Sequence, residues 1–276
     1  MRRGFLSTYT GILILINVVV FFISVILFSA FGEEFFRIFA LVPNLFFSGY
    51  IWTAFTSIFL HDISGILSIH LLANMISLFF IGMFTEQLIG KKRFLGLYLV
   101  SGIFAAIFYA TLAYFLGTTE LGIKLFGLPS GIALGASGAI FGLIGLIAVL
   151  TPRNKIYLIA GPLIAIIVQV ILGEIITNSA ILTLINFIVI VYFIFSIYSI
   201  FSFNPRLRAI SLPIEMPFWI LPIVAIVPLI IVGIFISLPI GNTAHLGGLI
   251  IGLIYGVYLR KKYPRKTKMI SDYFSR

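Results

Sequence analysis

The chain has 276 residues, of which 61% are hydrophobic and 9% charged, and its mean hydropathy is +1.22. A soluble domain carries about 25% charged residues, so this composition excludes a water-soluble globule and makes lipid the solvent. The absence of cysteine excludes disulfides and thiolate metal sites, and the formal charge of +10 raises a nucleic-acid role that its placement must decide.

Apolar windows long enough to cross a bilayer fall at 9–31, 65–85, 94–116, 132–150, 156–176, 179–202, 217–237 and 243–260. A backbone in lipid must satisfy its own polar groups, so all eight are predicted helices. The first window is too long for a signal peptide and lacks a small-residue cleavage pattern, so it is expected to be a retained span. Segment 32–64, rich in aromatic residues around Trp52, is expected to lie in the interface or embed from it rather than cross. The whole chain is expected to form a single membrane domain, 1–276, ending in a basic cytoplasmic tail, 261–276.

The basic residues orient these spans. With the N-terminus in the cytoplasm, sixteen of the eighteen Lys and Arg face inward, leaving only Arg37 and Lys124 outside. Eight spans with both termini cytoplasmic thus satisfy the positive-inside rule, in the cell membrane or one like it. The positive charge serves orientation, and no basic patch interleaved with aromatic residues points to nucleic acid.

In this orientation spans 2, 4 and 8 run from outside to inside. Ser137 falls in the second turn of span 4, within "GASGAIFG" (135–142). His70 falls in the second turn of span 2, with Asn74 one turn deeper on the same helix face, and His245 in the first turn of span 8. At about 1.5 Å per residue these groups lie roughly 5–15 Å below the outer surface. Each has an ordinary structural reading: a serine bonding to the carbonyl four residues back, an interfacial histidine, an asparagine joining helices. Their convergence at one depth is more specific than any member, because polar groups inside spans are costly.

A serine hydroxyl is a weak nucleophile and needs a base within hydrogen-bond reach, for which His245 and His70 are the candidates. The oxyanion of an acyl transfer needs donors, which His70, Asn74 and backbone amides near Ser137 can supply. Gly138, Gly142 and Gly145 on span 4, and Gly248 and Gly252 on span 8, form small-residue stripes that allow close helix approach; Gly135 opens the run before the serine. No HExxH or HxxxH motif links the three histidines, so no metal and no other cofactor is expected.

"GASG", "HLLAN" and "AHLGGLIIG", with "WTAFTSIFLH" before the second span and "GMFTEQLIGKKRF" at its end, resemble the rhomboid family of intramembrane serine proteases. The resemblance covers about 50–116, 133–150 and 217–260. It implies an all-α polytopic membrane protein with a six-helix core, a Ser137–His245 dyad without an acidic third member, and an oxyanion hole of His70, Asn74 and the Ser137 amide. It also implies that Phe141 packs beside the catalytic histidine, that Glu86 is a structural glutamate, and that 32–64 is the membrane-embedded first loop. Two features depart from the family pattern. The separation of 108 positions from Ser137 to His245 leaves room for an inserted helical hairpin, 156–202, and the spacing of His61 in loop 1 leaves that residue without a catalytic assignment. Within the hairpin, Gln169, Glu174 and Asn186 are the polar members, and Gln169 and Asn186 are placed to bond across it.

The expected function is therefore an intramembrane serine endopeptidase whose partners are transmembrane protein substrates and the lipid bilayer. A catalytically inactive relative acting in binding or quality control is one alternative. A small transporter is another, disfavoured because the polar groups sit near the outer face and no inverted repeat is evident.

Overall fold

The structure, a computed structural model, describes residues 4–63, 69–202, 204–235 and 241–274. Among these residues each apolar window contains a helix. In chain order they are α1 (Tyr9–Phe31), α5 (Ile69–Ser77) continuing through a π turn at Leu78–Gly82 into α6 (Met83–Ile89), α7 (Lys91–Leu116), α9 (Ser137–Leu150), α10 (Ala160–Ile175), α11 (Ser179–Phe201), α13 (Leu221–Phe235) and α14 (Asn242–Lys262). Between α1 and α5 the chain forms α2 (Glu33–Phe39), α3 (Pro43–Phe47) and α4 (Thr53–Thr56); α8 (Glu120–Phe126), α12 (Pro205–Ile210) and α15 (Pro264–Phe274) complete the helices.

Among the described residues five helices are long and apolar enough to span a membrane: Tyr9–Phe31, Ile69–Ile89, Lys91–Leu116, Ser179–Ser199 and Asn242–Lys262. The other three are shorter than the eight-span expectation requires. At 14 residues, α9 extends only about 21 Å at 1.5 Å per residue, against a hydrocarbon thickness of about 30 Å. Residues expected to begin this span are not helical. Ala133 instead exchanges backbone hydrogen bonds with Leu41, at 3.0 and 2.8 Å, and the Gly135 amide donates to Ser57 O at 2.9 Å. Ser137 is therefore the first residue of its helix, not a member of its second turn.

The chain divides into two compact units, residues 1–153 with 218–276, and residues 154–217. In the first unit α14 packs most extensively on α9, and α7 packs on both. The cause is legible atom by atom. A Cβ on Gly248 would overlap Gly138 O, and one on Gly252 would overlap Gly142 O, so the two helices meet backbone to backbone. On the α7 side, a Cβ on Gly138 would come within 2.6 Å of Ala105 Cβ, and one on Gly142 would overlap the Ser101 side chain. Lipid tails are as apolar as leucine, so close packing of this kind, rather than hydrophobic burial, holds helices together in a bilayer.

The first helix is tied down by charge. Glu86 is buried and accepts hydrogen bonds from Tyr9 N (3.0 Å), Thr10 N (2.8 Å) and Thr10 Oγ1 (2.8 Å). The first amides of a helix have no intrahelical acceptor, and a carboxylate there also meets the positive end of the helix dipole.

In the second unit, strand β1 (Lys155–Ile159) pairs antiparallel with β2 (Pro213–Pro217), placing Tyr157 opposite Glu215. Residues 156–159 thus depart from the helical expectation: a short apolar run reads alike as helix or strand until a partner is known. Gln169 Nε2 donates to Asn186 Oδ1 at 2.8 Å between α10 and α11, and Asn178 caps α11 by accepting from Ala180 N and Ile181 N.

Candidate active site

Ser137 opens α9 and His245 lies in the first turn of α14, so the closest-packed pair of helices carries both residues. His245 Nε2 is 2.8 Å from Ser137 Oγ across 108 residues of chain. His245 is buried, and among the described residues its Nδ1 has no hydrogen-bond partner. No carboxylate of a described residue therefore orients the ring. Phe141 does so instead, stacking on the imidazole with centroids 4.3 Å apart and planes within 10°. Phe141 is one turn after Ser137, so the same helix supplies the hydroxyl and the surface that aligns its partner.

The helix packing described above sets this approach. Gly248 is nearly one turn beyond His245, and its contact with Gly138 O holds the start of α14 against the start of α9. Any side chain at Gly248 would separate the two helix ends and with them the 2.8 Å contact.

His70 and Asn74, on α5, face the turn that leads into Ser137. Gly135 has φ +120, and a Cβ there would come within 2.7 Å of His70 Nε2 and 3.7 Å of Asn74 Nδ2. Glycine is thus required twice at 135, for its backbone angle and for the imidazole lying against it. Asn74 is buried, and its amide donates to His70 O at 2.9 Å, which leaves one amide hydrogen uncommitted by that bond. As the first helical residue, Ser137 also offers an amide with no intrahelical acceptor.

His61 belongs to the same neighbourhood, although its sequence position carried no assignment. It is completely buried, and its ring centroid is 5.3 Å from that of His70. The available signal was the nine-residue offset between His61 and His70, but loop geometry cannot be read from an offset. Among the described residues no group of three or more His, Cys, Asp or Glu is arranged to hold a metal ion. Glu174 is remote from the site in sequence and belongs to the second unit.

Apolar helices of spanning length and close glycine packing define an integral, multi-pass, all-α membrane protein, with a serine–histidine contact at a helix start. Comparison with known proteins names the family. The chain matches the family model described as "Rhomboid domain" over residues 48–197 and 189–262, and it belongs to the rhomboid family. It is also 40% identical over 95 residues to RHOMBOID-like protein 1 of Arabidopsis thaliana, a match covering 34% of this chain and 20% of that protein. The match thus spans about a fifth of the curated relative's length.

Proposed function

We propose that this protein is an intramembrane serine endopeptidase that hydrolyses peptide bonds in or near the transmembrane segments of other membrane proteins. The observation that carries the reading is the 2.8 Å contact between Ser137 Oγ and His245 Nε2. With Nδ1 protonated, Nε2 accepts the hydroxyl proton as Oγ attacks the scissile carbonyl carbon. The C=O π bond becomes a tetrahedral oxyanion, which the Ser137 amide, His70 and the uncommitted Asn74 hydrogen stabilise. Collapse re-forms the carbonyl and breaks the C–N bond, and the imidazolium gives its proton to the leaving amine. Water, deprotonated by the same imidazole, then attacks the acyl-enzyme, releases the acid and restores Ser137.

A dyad suits this architecture. A serine at the start of a short helix is within reach of water from one side of the membrane, while Phe141 replaces the orienting role of a third residue. The proposed orientation has both termini in the cytoplasm of a cell membrane, with the dyad nearer the opposite face. Residues 156–202 are proposed to serve as an accessory hairpin in substrate access or association, contributing no group to the chemistry.

A fluorophosphonate probe tests the reading on purified protein. The expected result is covalent labelling at Ser137, lost in Ser137→Ala and in His245→Ala. Absence of labelling in a folded protein that still binds transmembrane segments would favour an inactive relative. Transport without labelling would favour a transporter.

A further inference from the structure

A second site lies where the turn between α6 and α7 meets the C-terminal helix. A cavity of about 260 Å³ is lined there by Gln87, Arg93, Tyr263 and Lys266 on its polar side and by residues including Leu150 and Ile270 on its apolar side. This volume is just below the roughly 300–1,000 Å³ of drug-sized pockets, and suits a phosphate with part of a glycerol. The helices that form it carry two carboxylates, Glu86 and Asp272, and neither lines it. Glu86 is committed to α1.

Of the cations at two helix starts here, Arg93 and Lys266 line the cavity, both exposed at its rim, while Lys91 Nζ donates instead to Ser7 O. Lys91, Lys92 and Arg93 open the 26-residue α7, and Arg265 and Lys266 open α15, with no acidic residue in either first turn. A helix start is itself partly positive, so cations there oppose the dipole. Membrane orientation accounts for basic residues on this side. It does not account for two helix starts bringing cations to one cavity. Arg93 is also held in place: its guanidinium lies 5.3 Å over the Tyr263 ring, with Nη2 3.5 Å from Tyr263 Oη. Among the described residues its other N–H donors have no hydrogen-bond partner, so they can reach a ligand. The Thr267 hydroxyl is committed to the Tyr263 and Pro264 carbonyl oxygens, so the guanidinium and the Lys266 ammonium are the principal donors.

We infer that this cavity, built around Arg93 and Lys266, binds a phosphate group, supplied by the headgroup of an anionic phospholipid. The mixed lining favours a lipid over a free ion, since the charged rim suits the phosphate and the apolar floor suits glycerol and the first acyl carbons. Met269 and Tyr273, 73% and 76% exposed on α15, give that helix apolar contacts for the same membrane surface.

The test follows thermal unfolding of the full chain in a zwitterionic detergent at constant ionic strength. Short-chain phosphatidylglycerol, short-chain phosphatidylcholine or sodium phosphate is added. The expected result is a rise in Tm of about 5 °C with saturating phosphatidylglycerol, and none with phosphatidylcholine. The double variant R93Q/K266Q should need at least about tenfold more phosphatidylglycerol for the same shift. Lys261→Gln, outside the cavity, should behave as the parent. If the double variant does not fold, Lys266→Glu alone, on the exposed tail helix, gives the same readout. An equal shift with sodium phosphate, lost in the same variants, would support the phosphate site and assign it to the free ion. A shift that survives in the variants, an equal shift with phosphatidylcholine, or no shift at all would overturn the inference.

Discussion

Among the described residues His245 has one polar contact, to Ser137, and one aromatic contact, to Phe141. On the proposed mechanism, Ser137→Ala and His245→Ala should each lower peptide hydrolysis by about 10⁴-fold or more. Their unfolding midpoints should stay near the parent value. Rates within tenfold of the parent for purified Ser137→Ala would remove the nucleophile. The oxyanion donors should show a graded loss. Removing one well-placed donor costs about 10²–10³ in rate, and the Ser137 amide provides redundancy. Asn74→Ala should therefore retain measurable activity, because its amide already donates to His70 O. His70→Ala should lose more, since the ring also lies against Gly135. Unchanged kcat in both variants would exclude them from the chemistry.

At the scale of elements, the α9–α14 contact leaves no room for a side chain. Gly252→Val would push its Cβ against Gly142 O, and backbone cannot yield as a flexible side chain can. The expected cost is about 1–3 kcal/mol, with activity falling as the dyad separates. Gly96→Ala, where an added Cβ meets nothing within 4 Å, is the control and should be neutral. Chemical denaturation in detergent with a parallel activity assay distinguishes the two. The hairpin allows a different test. Gln169→Ala removes a bond to Asn186 of 2.8 Å, of a kind that averages only about 0.6 kcal/mol between membrane helices. Hydrolysis of a soluble, unfolded substrate should then stay within a few-fold of the parent, whereas cleavage of a bilayer substrate is free to change. Loss of soluble-substrate cleavage in a folded Gln169→Ala or Asn186→Ala protein would give the hairpin a part in the chemistry.

For the whole molecule, the proposed orientation makes sidedness measurable. Thr118 is exposed beside Thr119, whose hydroxyl caps α8 and is better left intact. The chain has no native cysteine, so a single introduced thiol reports alone. Thr118→Cys should react with a membrane-impermeant thiol reagent in intact cells, and Asn154→Cys should not. The opposite pattern would invert the topology.

Much of the architecture follows from composition and spacing. Twenty-residue apolar runs have few solutions in lipid, because every backbone amide needs an internal partner. The helical character of these windows and the all-α class were therefore legible in the sequence, and glycines at helical spacing marked the faces that could approach closely. A hydroxyl and an imidazole inside such spans were legible as candidates, because desolvated polar groups are rarely idle there.

What brings them together belongs to the tertiary structure. The 2.8 Å contact depends on backbone meeting backbone at Gly138 and Gly248, over a hundred residues apart in the chain. The late start of α9 depends on Ala133 pairing with Leu41, a long-range bond that no local periodicity records. The burial of His61 beside His70 depends on the path of a loop, and β1 depends on finding β2 some sixty residues later. Local sequence sets which backbone and side-chain groups must be satisfied; only the folded chain decides which distant partner satisfies them.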